Sequence, residues 1–231
     1  MGRSEPNPFG KGLIRFLREL DRNNDRAWFE ANRERYETDV REPALAFVRS
    51  MARHVEAVSP RLTASDRKVG GSLMRIHRDV RFSRDKRPYK TNVGIQFRHA
   101  DGRDVHAPGL YVHVDPGSVF LGAGLWRPAT PALRAIRKAI DEDPKGWLRV
   151  RDGKTFRRSW SPAGDSLARA PRGVRPDHPM IEDLRRKDHI AVCDLSAADV
   201  VRPDLVPLVA RRFREARPYM AWLAAAIGLP F

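Results

Sequence analysis

The sequence predicts an α+β fold, a mainly antiparallel sheet of about four or five strands flanked by N-terminal and C-terminal helices. Three observations predict it. Apolar residues recur at helical spacing in the first quarter of the chain and again near its end, while two-residue alternation fills the stretch 72–124 between them. No internal repeat, low-complexity tract or linker divides the 231 residues, so the segregated helices and strands belong to a single domain, 1–231. At 41% hydrophobic residues the chain has enough apolar surface for a real core.

Residues 1–12, with Pro6, Pro8, Gly10 and Gly12, read as an irregular lead-in. Leu13, Phe16, Leu17 and Leu20 mark a first helix, and Asn23 or Asn24 can cap a second that bears Trp28, Phe29, Tyr36 and Val40. Pro43 starts or kinks the next helix, whose stripe is Ala44, Phe47, Val48, Met51 and Val55, and Pro60 closes it. A polar connector, 59–71, then leads into four strands expected near 72–82, 91–99, 109–115 and 118–124. In the first of these Met74, Ile76, Val80 and Phe82 share one parity, while Arg75, His77, Asp79 and Arg81 share the other. The polar run 83–88 ends at Pro88 and reads as a loop, so 72–99 is a hairpin-like unit whose loop carries cations. A longer loop containing Asp101-Gly102 follows, and Asp115-Pro116-Gly117-Ser118 predicts a type II turn between the last two strands.

Thr130 can cap a helix with Pro131 in its first turn and Leu133, Ile136 and Ile140 inward, ending near Pro144. Across 147–175 the pattern weakens to a short helix, with room for a strand, and a long loop. Pro179 can open another helix with Glu182 and Asp183 in its first turn. A strand over 189–194, a capping box from Ser196 and Asp199, and a final helix over 204–227 kinked at Pro218 complete the chain.

Formal charge is +15 and the sequence pI about 10.9, a balance that admits nucleic acid, an anionic membrane surface or a phosphorylated small molecule as partner. Of the 44 cations only eight are Lys, so 36 are Arg, and an Arg-rich coding bias discounts any single cluster. Cys193, the lone cysteine, lies among Ile190, Ala191 and Val192 like a buried small hydrophobe, so no internal disulfide forms and a reducing cytoplasm is expected. The N-terminus lacks a signal-peptide pattern, and Pro6 stands where a myristoylation site needs Ser or Thr. The longest apolar stretch, 221–227, is too short to cross a bilayer, and no membrane partner is expected.

The most concentrated chemistry lies between Arg75 and Lys90. Seven cations (Arg75, Arg78, Arg81, Arg84, Lys86, Arg87, Lys90) face two carboxylates (Asp79, Asp85), a local charge of +5 that repels itself unless an anion joins it. The run Arg78-Asp79-Val80-Arg81-Phe82-Ser83-Arg84-Asp85-Lys86-Arg87-Pro88-Tyr89-Lys90 resembles the R-D-x-R-F-S-x-D-K-x-P-Y-K signature of the family named domain of unknown function 2461. Asn23-Asn24 followed by Trp28-Phe29, Pro108-Gly109-Leu110-Tyr111, Gly124-Leu125-Trp126-Arg127-Pro128, and Ala170-Pro171-Arg172-Gly173 followed by Asp177-His178-Pro179 resemble the same family. The resemblance implies a common site and brings no activity with it.

If the strands align, their polar parities bring Arg75, His77, Asp79 and Arg81, Asn92 and Gln96, and Tyr111 and His113 onto one face. The expected ligand is a small phosphorylated or carboxylated molecule held by Arg75, Arg78, Arg81, Lys86, Tyr89, Lys90, Gln96 and Tyr111, with Arg78, Arg81 and Lys90 on one shared anion. His77 and His113, with Asp79 orienting His77, are the candidate acid and base. The competing reading is an internal ion-pair network that draws in Asp21 or Asp25. No metal is expected among so many guanidinium groups, and no cofactor, since Gly122-Ala123-Gly124 fits neither a P-loop nor a dinucleotide fingerprint. The second functional class is a nucleic-acid-binding module that runs phosphates along the loop and the cations of 149–158 and 169–175, stacking bases on Phe82, Tyr89 or Trp160. Charge packed into one short loop favours a concave pocket over such a track.

Overall fold

The computed structural model describes residues 6–101 and 108–231, so part of the lead-in and most of the Asp101-Gly102 loop lie outside the described residues. The chain opens with α1 (Lys11–Arg22), α2 (Arg26–Ala31) and α3 (Arg33–Tyr36), then passes through a π-helical turn at Glu37–Arg41 into α4 (Glu42–Val58). Strands β1 (Leu62–Thr63), β2 (Val93–His99), β3 (Gly109–Asp115) and β4 (Ser118–Leu125) follow. Helices α5 (Thr130–Glu142), α6 (Pro144–Arg151) and α7 (Lys154–Arg157), strand β5 (Ser161–Ala163), helix α8 (Ile181–Leu184), strand β6 (His189–Leu195) and helices α9 (Ala197–Val200) and α10 (Leu205–Ala226) complete it. The fold is α+β, with one antiparallel sheet in the order β1-β2-β3-β4-β6-β5. Six strands rather than four or five arise because the two edges, β1 and β5, are only two and three residues long.

Alternation in the central strands separates two chemistries. Val93, Ile95 and Phe97 pair with Val114, Val112 and Leu110, and these lie in register with Val119, Leu121 and Ala123 of β4 and with Cys193 and Ala191 of β6. All are buried in the core. Helices α4 and α10 pack together and cover this side, with Phe213 of α10 edge-on to Phe97 at 6.0 Å. The opposite parity carries Gly94, Gln96, Tyr111, His113, Phe120, Gly122, Gly124, Ile190 and Val192.

The expected strand over 72–82 is corrected. Only Leu73 and His77 form isolated bridges, to Ile95 and Tyr89. The segment starts beside β2, with Ser72 O accepting from Gln96 N (2.8 Å) and Met74 N donating to Gly94 O (2.9 Å). It then turns to its own return, with Arg78 N donating to Pro88 O and Lys90 N to Ile76 O, both at 2.8 Å. A chain that changes partner between Met74 and Ile76 cannot maintain one ladder, so its expected parity is lost. Ile76 is buried while Phe82 is 96% exposed. The hairpin-like unit itself is present, with 79–87 as its loop.

Several local expectations also change. Asp25, not Asn23 or Asn24, caps α2, its carboxylate accepting from Trp28 N at 2.9 Å. Thr130 is the first residue of α5 rather than its cap, and the helix after Pro179 begins at Ile181. Asp115 and Ser118 close a hairpin, but Gly117 has no positive φ and donates its N–H to Asp115 Oδ1 (2.9 Å). An aspartate-stabilised turn therefore replaces the type II turn. The Ser196–Asp199 capping box forms, and Pro218 sits inside α10 without ending it.

His189 stands on the core parity of β6 opposite Leu125, fully buried and edge-on to Trp147 at 5.9 Å. Neither of its ring nitrogens has a hydrogen-bond partner among the described residues, and burial, aided by Arg186 and Arg137, pushes its pKa from 6.5 to about 3. A depressed pKa means that the unfolded state binds the proton first, so stability is whole above about pH 6.5 and falls as pH drops towards 3. His189→Leu should remove this acid sensitivity at little cost near neutrality, because it deletes a polar ring that satisfies no hydrogen bond. Urea unfolding at about pH 7 and about pH 4.5 should show the gap between the two conditions shrinking by about 2 kcal/mol or more in the variant. An unchanged gap would contradict this account.

Candidate functional site on the open sheet face

The sheet parity turned away from α4 and α10 holds a pocket of about 370 Å³. Its walls are Met74, Phe120, Trp126, Ile190 and Val192, its floor is glycine-rich at Gly109, Gly122 and Gly124, and Gln96, Tyr111 and His113 supply the polar groups. Among the described residues no helical residue lines it. Glycine creates this space. A Cβ at Gly122 would lie 3.3 Å from the Tyr111 Cβ, and one at Gly94 would lie 2.7 Å from the Tyr111 hydroxyl. Gly124 has a second reason, because its φ of 126° and its approach to His189 O exclude a side chain.

Register makes the polar cluster. Gln96 is paired with Tyr111, and Gly94 with His113, and the space over the bare glycine is taken by the Tyr111 hydroxyl and the Met74 sulfur. Tyr111 Oη lies 3.1 Å from His113 Nδ1, and the Asn92 amide nitrogen lies 3.5 Å from the same atom. Burial pushes Tyr111 up to about 12 and pulls His113 below its usual range, with Asp115 opposing the latter shift. At neutral pH the phenol is therefore protonated and the imidazole neutral. The Asn92 amide nitrogen can only donate, so Nδ1 accepts and the ring proton sits on Nε2, with the Tyr111 hydroxyl donating to the same atom. Phe120 stacks on the ring at 4.6 Å and 15°, fixing its plane.

The cationic loop is anchored beside the N-terminal helices. The Asn24 side chain donates to Tyr89 O and accepts from Tyr89 N, both at 3.0 Å, and the Tyr89 ring stacks on Phe29 at 4.1 Å. Three of the loop's seven cations are answered by carboxylates within the protein. Arg78 holds Asp85 at 2.6 Å, Arg87 bonds Asp85 and Asp21, and Arg81 grips both oxygens of Asp79 at 3.0 and 2.7 Å. Hydrogen bonds from Arg81 hold the Asp79 carboxyl down to about 2, and those from Arg78 hold Asp85 lower still. The Lys86 ammonium donates to Val80 O at 3.0 Å.

Gln96, Tyr111 and His113, with Asn92, are thus brought together. Arg78 and Arg81 are not on a shared anion with Lys90, since each has its own carboxylate. His77 is exposed against Phe29 and Tyr89, at 6.4 and 5.3 Å between ring centres, whereas His113 contacts Tyr111 and Phe120. Asp79 is engaged by Arg81 rather than by His77. Arg75, Arg84, Lys86 and Lys90 have no carboxylate bonded to them among the described residues, and of these Arg75 and Lys90 stand at the base of the loop rather than within it. Lys90 is half-buried, and burial together with the Arg75 charge lowers its pKa. Sequence reasoning missed Met74, Phe120, Gly94 and Gly122. A signal was present in the glycines on the outward parity of β2 and β4.

The tautomer is directly measurable. Long-range ¹H–¹⁵N spectra at neutral pH should show the His113 proton on Nε2 and the ring remaining neutral to below pH 6.5, with Tyr111→Phe altering the Nδ1 shift. A proton on Nδ1, or a titration above 6.5, would contradict the assignment.

Among the described residues no helix is long and apolar enough to cross a membrane, and no group of His, Cys, Asp or Glu is placed to hold a metal. No curated protein and no solved structure matches the chain. A family model does match, described as conserved hypothetical protein (DUF2461), and it spans residues 12–222, nearly the whole chain including the loop and every pocket residue. The chain belongs to the DUF2461 family.

Proposed function

We propose that this protein binds a small, flat, mostly apolar molecule bearing a phosphate or carboxylate group, with the body in the sheet-face pocket and the anion at Arg75 and Lys90. The observation that carries the reading is a pair of neighbouring cations, bonded to no carboxylate among the described residues, that adjoin residues of an apolar cavity along the chain. Arg75 follows the pocket residue Met74 and is bracketed by the backbone bonds of Met74 to Gly94 and of Lys90 to Ile76. Lys90 precedes by two residues Asn92, which reaches His113. Two like charges held together are relieved by an anion, and a partly desolvated ammonium binds one more strongly than an exposed one.

The cavity volume lies within the roughly 300–1,000 Å³ of small-molecule sites. Its glycine floor and aromatic walls favour a planar body, and Gln96, Tyr111 and the His113 Nε2–H orient it. Under this proposal His113, tied to a phenol, is the group that holds or passes a proton, and thus the catalytic candidate. Arg78, Arg81, Lys86 and Tyr89 act by holding the loop, and with it the rim, in place.

Calorimetric titration with phenyl phosphate and benzoate, against inorganic phosphate and acetate, tests this. The aryl compounds should bind at least tenfold tighter than the bare anions. Gly122→Val, or the milder Gly122→Ala, and Lys90→Ala should each weaken that binding tenfold or more while unfolding stays cooperative. Equal affinity for bare and aryl anions, unaffected by the Gly122 variants, would contradict the pocket assignment.

A further inference from the structure

We infer that α1 and the tip of the 79–87 loop form a second site, one that binds single-stranded nucleic acid along a basic groove and stacks a base on Phe82. Lys11, Arg15, Arg18 and Arg22 recur at helical spacing and are all exposed, and among the described residues none of them forms an ion pair. At a rise of about 1.5 Å per residue the stripe is about 16 Å long, enough to meet successive phosphates of one strand. These four cations line an open groove of about 650 Å³ whose far wall includes Ala198 and Val201. Glu19, the one acid in the groove, is engaged by Arg35 at 2.8 Å.

The loop continues this surface. Arg87 reaches Asp21 at 3.0 Å, tying the loop to the end of α1 beside Arg22. At its tip Phe82 is 96% exposed, with the Arg81 guanidinium 5.9 Å from its ring centre. Arg84, also exposed, has no carboxylate partner among the described residues. A cationic groove ending in an open aromatic face is what sequence-tolerant single-strand binding requires. The other stacking candidates are withdrawn by burial, since Tyr89 packs on Phe29 and Trp160 is interior.

The observations favour a nucleic acid over a lipid surface because α1 has no apolar face to insert. Leu13, Phe16, Leu17 and Leu20 are all buried in the core. They favour a single strand over a duplex because the stripe lies in a trough between two walls, where a chain can lie but a helix cannot present itself to a major groove.

Fluorescence anisotropy with a labelled fifteen-nucleotide single strand, from about 50 to about 200 mM salt, tests the site. Five contacts, from the four stripe cations and Arg84, predict a log–log slope near −3.5, a loss of about a hundredfold over that range. Arg15→Ala with Arg18→Ala should reduce the slope by about 1.4. Phe82→Ala should weaken binding about tenfold at unchanged slope. Arg134→Ala with Arg149→Ala, which removes two exposed cations from α5 and α6, should leave binding intact, as should Lys90→Ala and Gly122→Ala in the pocket. Failure of the pocket reading would leave these results untouched. No binding at low salt, equal loss in the α5/α6 control, a duplex bound as tightly as the single strand, or phosphatidylserine vesicles bound in preference to both would each overturn the inference.

Discussion

Two-residue alternation across β2, β3 and β4 is the constraint on which the rest of the molecule depends. One parity of these strands is a continuous apolar surface under α4 and α10, so a one-residue slip would drive Tyr111 and His113 into the core and expose Val112 and Val114. Core burial therefore fixes which residues the open face presents, and the Tyr111–His113 hydrogen bond and the Phe120 stack then order them. Where that face would carry side chains it has glycine at Gly109, Gly122 and Gly124, and all three line the pocket. Stability and the candidate site share one register.

The charged loop obeys a different logic. Its neighbourhood supplies three carboxylates, Asp21, Asp79 and Asp85, against seven cations, and these three take Arg78, Arg81 and Arg87. Such exposed pairs stabilise little, but together they aim the remaining cations by tying down their neighbours. The Asn24 clasp on Tyr89 matters more. It satisfies both backbone groups of Tyr89 with one amide and seats the ring on Phe29, so the N-terminal helices determine where Lys90 and Asn92 stand beside the sheet. The loop is thus in part the ion-pair network that the sequence left open, with Arg75, Arg84, Lys86 and Lys90 bonded to no carboxylate among the described residues.

Much of the fold was legible because it rests on local periodicity. The stripes through Leu13–Leu20 and Ala44–Val55 became helices, and the alternation in 93–99 and 109–124 became strands whose polar parity did gather Gln96, Tyr111 and His113. The alternation over 74–82 misled because its backbone bonds pass from β2 to 88–90, a partner exchange that side-chain pattern does not encode. The separation of His77 from His113 follows from that exchange. Gly117 misled similarly, since a Pro-Gly pair suits a type II turn until the Asp115 carboxylate claims the glycine N–H. The pocket itself was hidden because an outward glycine reads as a turn or a weak strand, whereas here the absent side chain is the feature. The basic stripe of α1 was passed over because its apolar positions were enough to identify the helix.

The central claim is that the sheet face turned away from α4 and α10 is where this protein meets its ligand. Selective ¹³C labelling of Met, Ile and Val methyls, with spectra recorded during titration of phenyl phosphate, examines that claim at the atoms concerned. The account predicts saturable shifts at Met74, Ile190 and Val192, which line the pocket, and none at Val112, Val114 or Met51 in the core behind it. Shifts that spare all three pocket methyls, with or without changes elsewhere, would contradict it.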